Sequence, residues 1–184
     1  PVVFLLEIKR HAYPRDIREA IWQLRSYIDH QHAFDKDNVV PLVMAETISS
    51  GARSLLRNEK IGYYDTSGSL YVPAHGAFVF IEKPLQKRQE RSINSLFEGR
   101  RGLVLQGVWE THGEWFGVHD IANRVSVSPT TVSQTLIELE RREWVIGRGS
   151  GPSKERRLSK PSELLDDWSR SIANARQPKQ QRYY

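Results

Sequence analysis

Apolar and polar positions change their period several times along this chain, and each change marks an element. Val2–Lys9 opens with an apolar run rich in branched side chains and predicts a buried strand. Pro14 suits the first turn of a helix. Ile17, Ile21, Leu24 and Ile28 then fall at helical spacing, and Ala20 and Tyr27 extend that face. The polar stretch His30–Asn38 ends this helix, and Val39–Ala45 predicts a second buried strand. Ser49 or Ser50 caps a helix that runs through Leu55 and Leu56. Short strands follow at Ile61–Asp65 and Leu70–Val72 around a Thr-Ser-Gly-Ser turn, with another at Ala77–Glu82. Alternating strands and helices imply an α/β layer over the first 83 residues.

The polar segment Pro84–Asn94 marks a boundary between a domain at 1–90 and one at 91–172. Leu96–His112 reads as a helix with Leu96, Leu103, Val104, Val108 and Trp109 inward. Helices are predicted at His119–Val125 and Pro129–Glu143, hairpin strands at Trp144–Ile146 and Arg157–Leu158, and a last helix at Ser162–Ile172. Residues 173–184 read as a disordered basic tail.

The region 116–157 has the pattern of a winged helix-turn-helix. Ile121, Ala122 and Val125 form the apolar face of the first short helix, and Ala122 is small enough for a close helix crossing. Ser128 suits an N-cap and Pro129 the first helical position, while Val132, Leu136 and Leu139 turn inward. Thr130, Thr131, Ser133 and Gln134 occupy the opposite face at the N-terminal end, which in such motifs reaches base edges and phosphates. The amide of a Gln can pair with adenine, and a Thr methyl can meet a thymine methyl. The Gly-rich hairpin that follows carries Arg148, Lys154, Arg156 and Arg157, cations suited to phosphate. Double-stranded DNA is the implied partner. Winged-helix proteins usually bind palindromic sites as dimers, so a homodimer is expected too.

Charge sharpens this picture. The net charge is +5; residues 91–184 contribute +4, and residues 141–160 hold 7 basic and 2 acidic side chains. A local cationic excess beside a helix-turn-helix pattern is the footprint of a polyanion partner. Cysteine is absent, which excludes disulfides and thiolate zinc sites and fits a cytoplasmic protein. His112 and His119 match no zinc spacing and read as ordinary surface histidines, so no metal site is assigned. No apolar run reaches the roughly 20 residues of a membrane span, so no membrane partner is expected.

Glu7 and Lys9 stand two apart on the first strand and so share a face. Such a pair can hold a divalent metal and orient a water, and Gln23 on the next helix can reach the same pocket. Glu7-Ile-Lys9 and the Gln23/Tyr27 pair resemble the E-x-K and Q-x-x-x-Y elements of the PD-(D/E)xK restriction-endonuclease-like fold. That family also uses an Asp on the preceding strand, and nothing precedes the Glu7 strand here, so the domain reads as N-terminally incomplete and non-catalytic. Ala52-Arg-Ser-Leu-Leu-Arg57, Ile61–Leu70, Val127-Ser-Pro-Thr-Thr-Val132 and Leu164-Leu-Asp-Asp-Trp168 together resemble AbiEi-like antitoxins of type IV toxin–antitoxin systems. In that group a nuclease-like portion joins a winged helix, and its members are described as transcriptional regulators. Ser69 departs from the Asn common at that position.

The resemblance implies a DNA-binding transcriptional regulator that is not an enzyme and needs no cofactor. Its nuclease-like domain would serve oligomerisation, sensing or extra DNA contact. Two alternatives stand beside it. One is a Mg²⁺-dependent nuclease using Glu7, Lys9 and Gln23; the other is an antitoxin that acts mainly by binding a cognate toxin.

Overall fold

The computed structural model describes residues 2–30, 38–74, 76–83 and 96–174. The chain divides into two compact units, Pro1–Gln89 with Arg141–Glu143, and Glu90–Glu140 with Trp144–Tyr184. The boundary segment expected at 84–94 lies outside the described residues, as do residues 175–184 of the expected tail.

The first unit is built on β1 (Val3–Ala12), α1 (Pro14–His30), β2 (Val39–Ile48), α2 (Ser50–Asn58), β3 (Gly62–Asp65), β4 (Leu70–Ala74) and β5 (Ala77–Ile81). Its sheet has the order β1-β2-β3-β4-β5, with β1, β2 and β3 parallel and β4 and β5 added as antiparallel strands. Pro14 opens α1, and Ser49 caps α2 by accepting from the Ala52 amide at 3.3 Å. Ile17, Ala20, Ile21 and Leu24 of α1 and Ala52 and Leu56 of α2 bury against Val43, Ala45, Tyr63 and Tyr71 of the sheet. Tyr27 departs from the expected inward face and stands exposed.

β1 also departs from expectation, because only one of its faces is covered. Leu5 packs on the core, whereas Phe4, Leu6 and Ile8 face solvent, Ile8 at 73% exposure. The cause is topological. Two parallel crossovers step in the same direction, from β1 to β2 to β3, and right-handed connections then place both helices on one face.

At the far end of the sheet, Asp65 (1% exposed) anchors the β3–β4 turn. Its carboxylate accepts from Arg53 Nη2 at 2.6 Å, from the Ser67 and Ser69 amides at 3.0 and 3.2 Å, and from the Ser67 hydroxyl. With its donors so disposed, a buried charge is tolerated. The Tyr63 hydroxyl is buried without a hydrogen-bond partner among the described residues, and burial raises its pKa above the ordinary phenol value.

The second unit contains α3 (Gly99–Trp109), α4 (Val118–Val125), α5 (Pro129–Arg141), β6 (Val145–Arg148), β7 (Glu155–Leu158) and α6 (Pro161–Asn174). α3 is shorter than the pattern predicts. Leu96 and Phe97 are buried ahead of it, Leu105 is buried within it, and Leu103 is exposed rather than inward. α6 reaches Asn174, two residues into the stretch expected to be tail. Val104, Leu105, Val108, Ile121, Val132, Leu136, Leu139, Trp144 and Leu164 form one closed core, with Phe97 between Trp144 and Trp168. α3 and α4 cross closely at Gly107: a Cβ there would lie 2.7 Å from Val125 Cγ1, so the two helices meet where a side chain is missing.

Candidate nucleic-acid interface

α4 ends at Ser126, whose backbone is left-handed at φ 53° and ψ 43°, an uncommon conformation for a residue with a Cβ. Ser126 and Val127 both donate to the Ala122 carbonyl, so the chain reverses within three residues before α5 starts. Ser128 then caps α5. Its hydroxyl accepts from the Thr131 amide at 3.4 Å and pairs with the Thr131 hydroxyl at 3.0 Å. Both side chains are thus engaged in starting the helix. Thr130 and Gln134 are exposed, Ser133 half-buried, and Ile137, one turn on, is exposed as well. Thr130, Gln134 and Ile137 recur at four- and three-residue spacing and therefore form one outward ridge.

The hairpin is fastened to the flank of the same helix by an ion cluster. Glu140 (9% exposed) accepts from Arg156 Nε at 2.8 Å through Oε1 and from Lys154 Nζ at 2.8 Å through Oε2. Gly147 lies opposite Arg156 in the β6–β7 register, and a Cβ on it would come within 3.2 Å of Glu140 Oε1 and 2.9 Å of Lys154 Cε. The empty side-chain position lets the carboxylate reach across the hairpin. Arg156 also pairs through its backbone with Phe116, at 2.9 and 2.8 Å, which adds a third strand segment to the hairpin. Ser133 and Glu140 are seven residues apart, within about 20° of one another around the helix axis. The hairpin therefore attaches on the Ser133 flank, next to the Thr130–Gln134–Ile137 ridge.

This arrangement corrects the expected cationic flap. Arg156 is 5% exposed and is turned inward, so it serves the fold and presents nothing to a ligand. Lys154 is half-buried on the same carboxylate. Arg148 is exposed and donates to Glu155 at 2.7 Å. Arg157 is exposed and has no carboxylate partner among the described residues. The 7-to-2 excess of cations in 141–160 overstates the outward charge, because Glu140, just before that stretch, and Glu155 within it take up three of the four hairpin cations.

One residue outside the sequence reading joins the cluster. The guanidinium carbons of Arg148 and Arg157 lie 4.1 and 5.1 Å from the centre of the Trp115 ring, in cation–π range. The outward hairpin face thus carries an aromatic ring flanked by two guanidinium groups. Trp115 precedes the predicted motif by one position, and the signal that exposes it is the Phe116–Arg156 bridge, which only the fold reveals. Arg124 on α4 is likewise exposed without a carboxylate partner among the described residues.

In the first unit, Glu7 and Lys9 do share a face and form an ion pair at 3.0 Å. Gln23 is half-buried on α1 and makes no hydrogen bond to either among the described residues. No group of three or more His, Asp or Glu side chains among the described residues is placed to hold a metal ion. No described helix is long and apolar enough to cross a membrane.

No family model matches the chain, and no curated protein matches it. Among solved structures, the chain is similar to a possible transcriptional regulatory protein (fragment 1–100) from Mycobacterium bovis, at 18% identity over 47% of this chain and 90% of that one, with a TM-score of 0.33. It is also similar to NolR from Sinorhizobium fredii, at 22% identity over 48% of this chain and 92% of that one, with a TM-score of 0.32.

Proposed function

We infer that the chain is a DNA-binding transcriptional regulator whose second unit acts as a winged helix and whose first unit is non-catalytic. One observation carries the reading: a polar ridge, Thr130 and Gln134 with Ile137, stands outward on α5 beside a hairpin whose outer face holds Arg148 and Arg157 over Trp115. A helix of this kind fits the major groove, and a cationic hairpin beside it fits the flanking phosphates. Gln134 and Thr130 are assigned to base edges, Ile137 to a thymine methyl, and Arg157 with Arg148 to phosphates. Ser128 and Thr131 act one step back, by holding the helix start that aims these side chains.

Selection on random duplexes at two salt concentrations, with and without Mg²⁺, tests this. Binding is expected without metal. Gln134→Ala should change the preferred sequence at a cost of about 1–3 kcal/mol on the selected site. Arg157→Ala should weaken all sequences alike and lower the salt slope by about 1. Sequence-independent loss for Gln134→Ala, or no duplex binding at low salt, refutes the assignment. Cleavage in the Mg²⁺ arm that Lys9→Ala abolishes would instead establish the nuclease reading, which the Glu7–Lys9 juxtaposition alone favours.

A further inference from the structure

The sheet of the first unit has one face whose exposed side chains are apolar. Phe4, Leu6 and Ile8 of β1 align in register with Val40, Leu42 and Met44 of β2; Met44 aligns with Tyr64, Tyr64 with Leu70, and Leu70 with Ile81. Partners in register point to the same side of a sheet. Val79 joins them, because Phe78 and Phe80 point the other way, against Tyr71. Apart from the Tyr64 hydroxyl, this face is apolar across all five strands. Arg10 and Glu46 form a charged rim where it ends.

Phe4, Leu6, Ile8, Tyr64, Val79 and Ile81 are all exposed. Val40 and Leu42 between them are buried; with half-buried Met44, Leu70 and Val72 the exposed residues present on the order of 700 Å² of apolar surface, more than the largest patch of an ordinary monomer. All-parallel sheets are almost always covered on both faces, and the β1–β2–β3 part of this sheet is parallel.

We propose that this face is a dimer interface, covered by the same face of a second copy of the chain. Two observations select that occupant. Two copies would bury about 1,400 Å² in total, inside the range of a stable protein–protein interface. The patch carries no charge except at its rim, so it needs no complementary partner and meets its own copy without like-charge repulsion, as an apolar core within a polar rim. The two sheets would pack face to face as in a β-sandwich, about 10 Å apart. This inference does not rest on the DNA-binding reading, because it is measured without DNA.

Sedimentation equilibrium of the full chain tests it, over roughly 1–100 µM, where interfaces of this size associate. The expected species is a closed dimer of twice 21.3 kDa. Ile8→Asp on β1 and Ile81→Asp on β5 should each weaken association at least tenfold, by setting like charges face to face, with the far-UV circular dichroism unchanged. Ile8→Met should keep the dimer. Ile8→Gln reads the same loss without a charge if the Asp variant fails to fold. A monomer across the whole range overturns the proposal, and so does open-ended assembly. A dimer weakened by Ile8→Asp but untouched by Ile81→Asp would also overturn it, since that pattern means edge-to-edge pairing through β1.

Discussion

Converting Glu140 to Gln should cost more stability than any change on the outward face of the second unit. Glu140 and Arg156 have side chains only 9% and 6% exposed and meet at 2.8 Å. Neutralising Glu140 leaves the Arg156 guanidinium buried without its counter-charge, beside the like charge of Lys154. Breaking a buried pair from one side costs about 3–5 kcal/mol. For a cooperative unit of this size, 1 kcal/mol moves Tm by about 4–8 °C, so a fall of at least about 12 °C is expected. Arg156→Met should cost less, because it removes the buried cation and leaves Glu140 the half-exposed Lys154. The double variant Glu140→Met/Arg156→Met should recover most of the loss, as apolar replacements of buried ion pairs often do. Urea and thermal unfolding of the four proteins closes a double-mutant cycle. The loss should persist in high salt, which screens buried pairs weakly. Two results would refute this reasoning. One is a Glu140→Gln protein within about 0.5 kcal/mol of the parent, the range of ordinary surface changes. The other is an Arg156→Met protein of unchanged stability whose DNA-binding salt slope drops by about 1, the mark of a lost phosphate contact.

Gly107→Ala should destabilise by about 1–3 kcal/mol in urea, because the new Cβ meets Val125 at 2.7 Å and the strain outweighs the gain in helix propensity. Adding Val125→Ala should relieve part of that strain, and a Gly107→Ala protein more stable than the parent would deny the close crossing. Tyr63→Phe should be neutral, or stabilising by up to about 1 kcal/mol, because it removes a buried hydroxyl with no partner among the described residues. Its pH dependence has a definite sign. The phenol's pKa is raised in the folded state, so above about pH 10 the unfolded chain loses this proton first, and stability falls as pH rises. The Phe variant should fall less steeply in alkaline melts, and equal slopes would count against a raised Tyr63.

Much of the secondary structure was legible because local signals there agree with the fold. Pro14, Ser49 and Ser128 sit at helix starts, where a missing amide hydrogen or a capping hydroxyl acts within one turn. Ile17, Ile21, Leu24, Val132, Leu136 and Leu139 turn inward at the positions their periodicity gives. β1 is not buried on both sides, as its apolar run alone implies, because that run holds two faces of different fate. Leu5 meets the helices, while Phe4, Leu6 and Ile8 do not, and which face is covered depends on strand order.

For the candidate interface, the chain alone determined the two helices, the tight turn between them and the polar start of α5. All of these follow from contacts a few residues apart. Which hairpin cations face outward was decided by tertiary structure. Arg156 and Arg157 are neighbours with the same charge, yet on a strand consecutive side chains take opposite sides, one against Glu140 and the other over Trp115. A pairing across 16 residues and a ring more than 40 residues upstream cannot be read from local pattern, because neither exists until the backbone has closed.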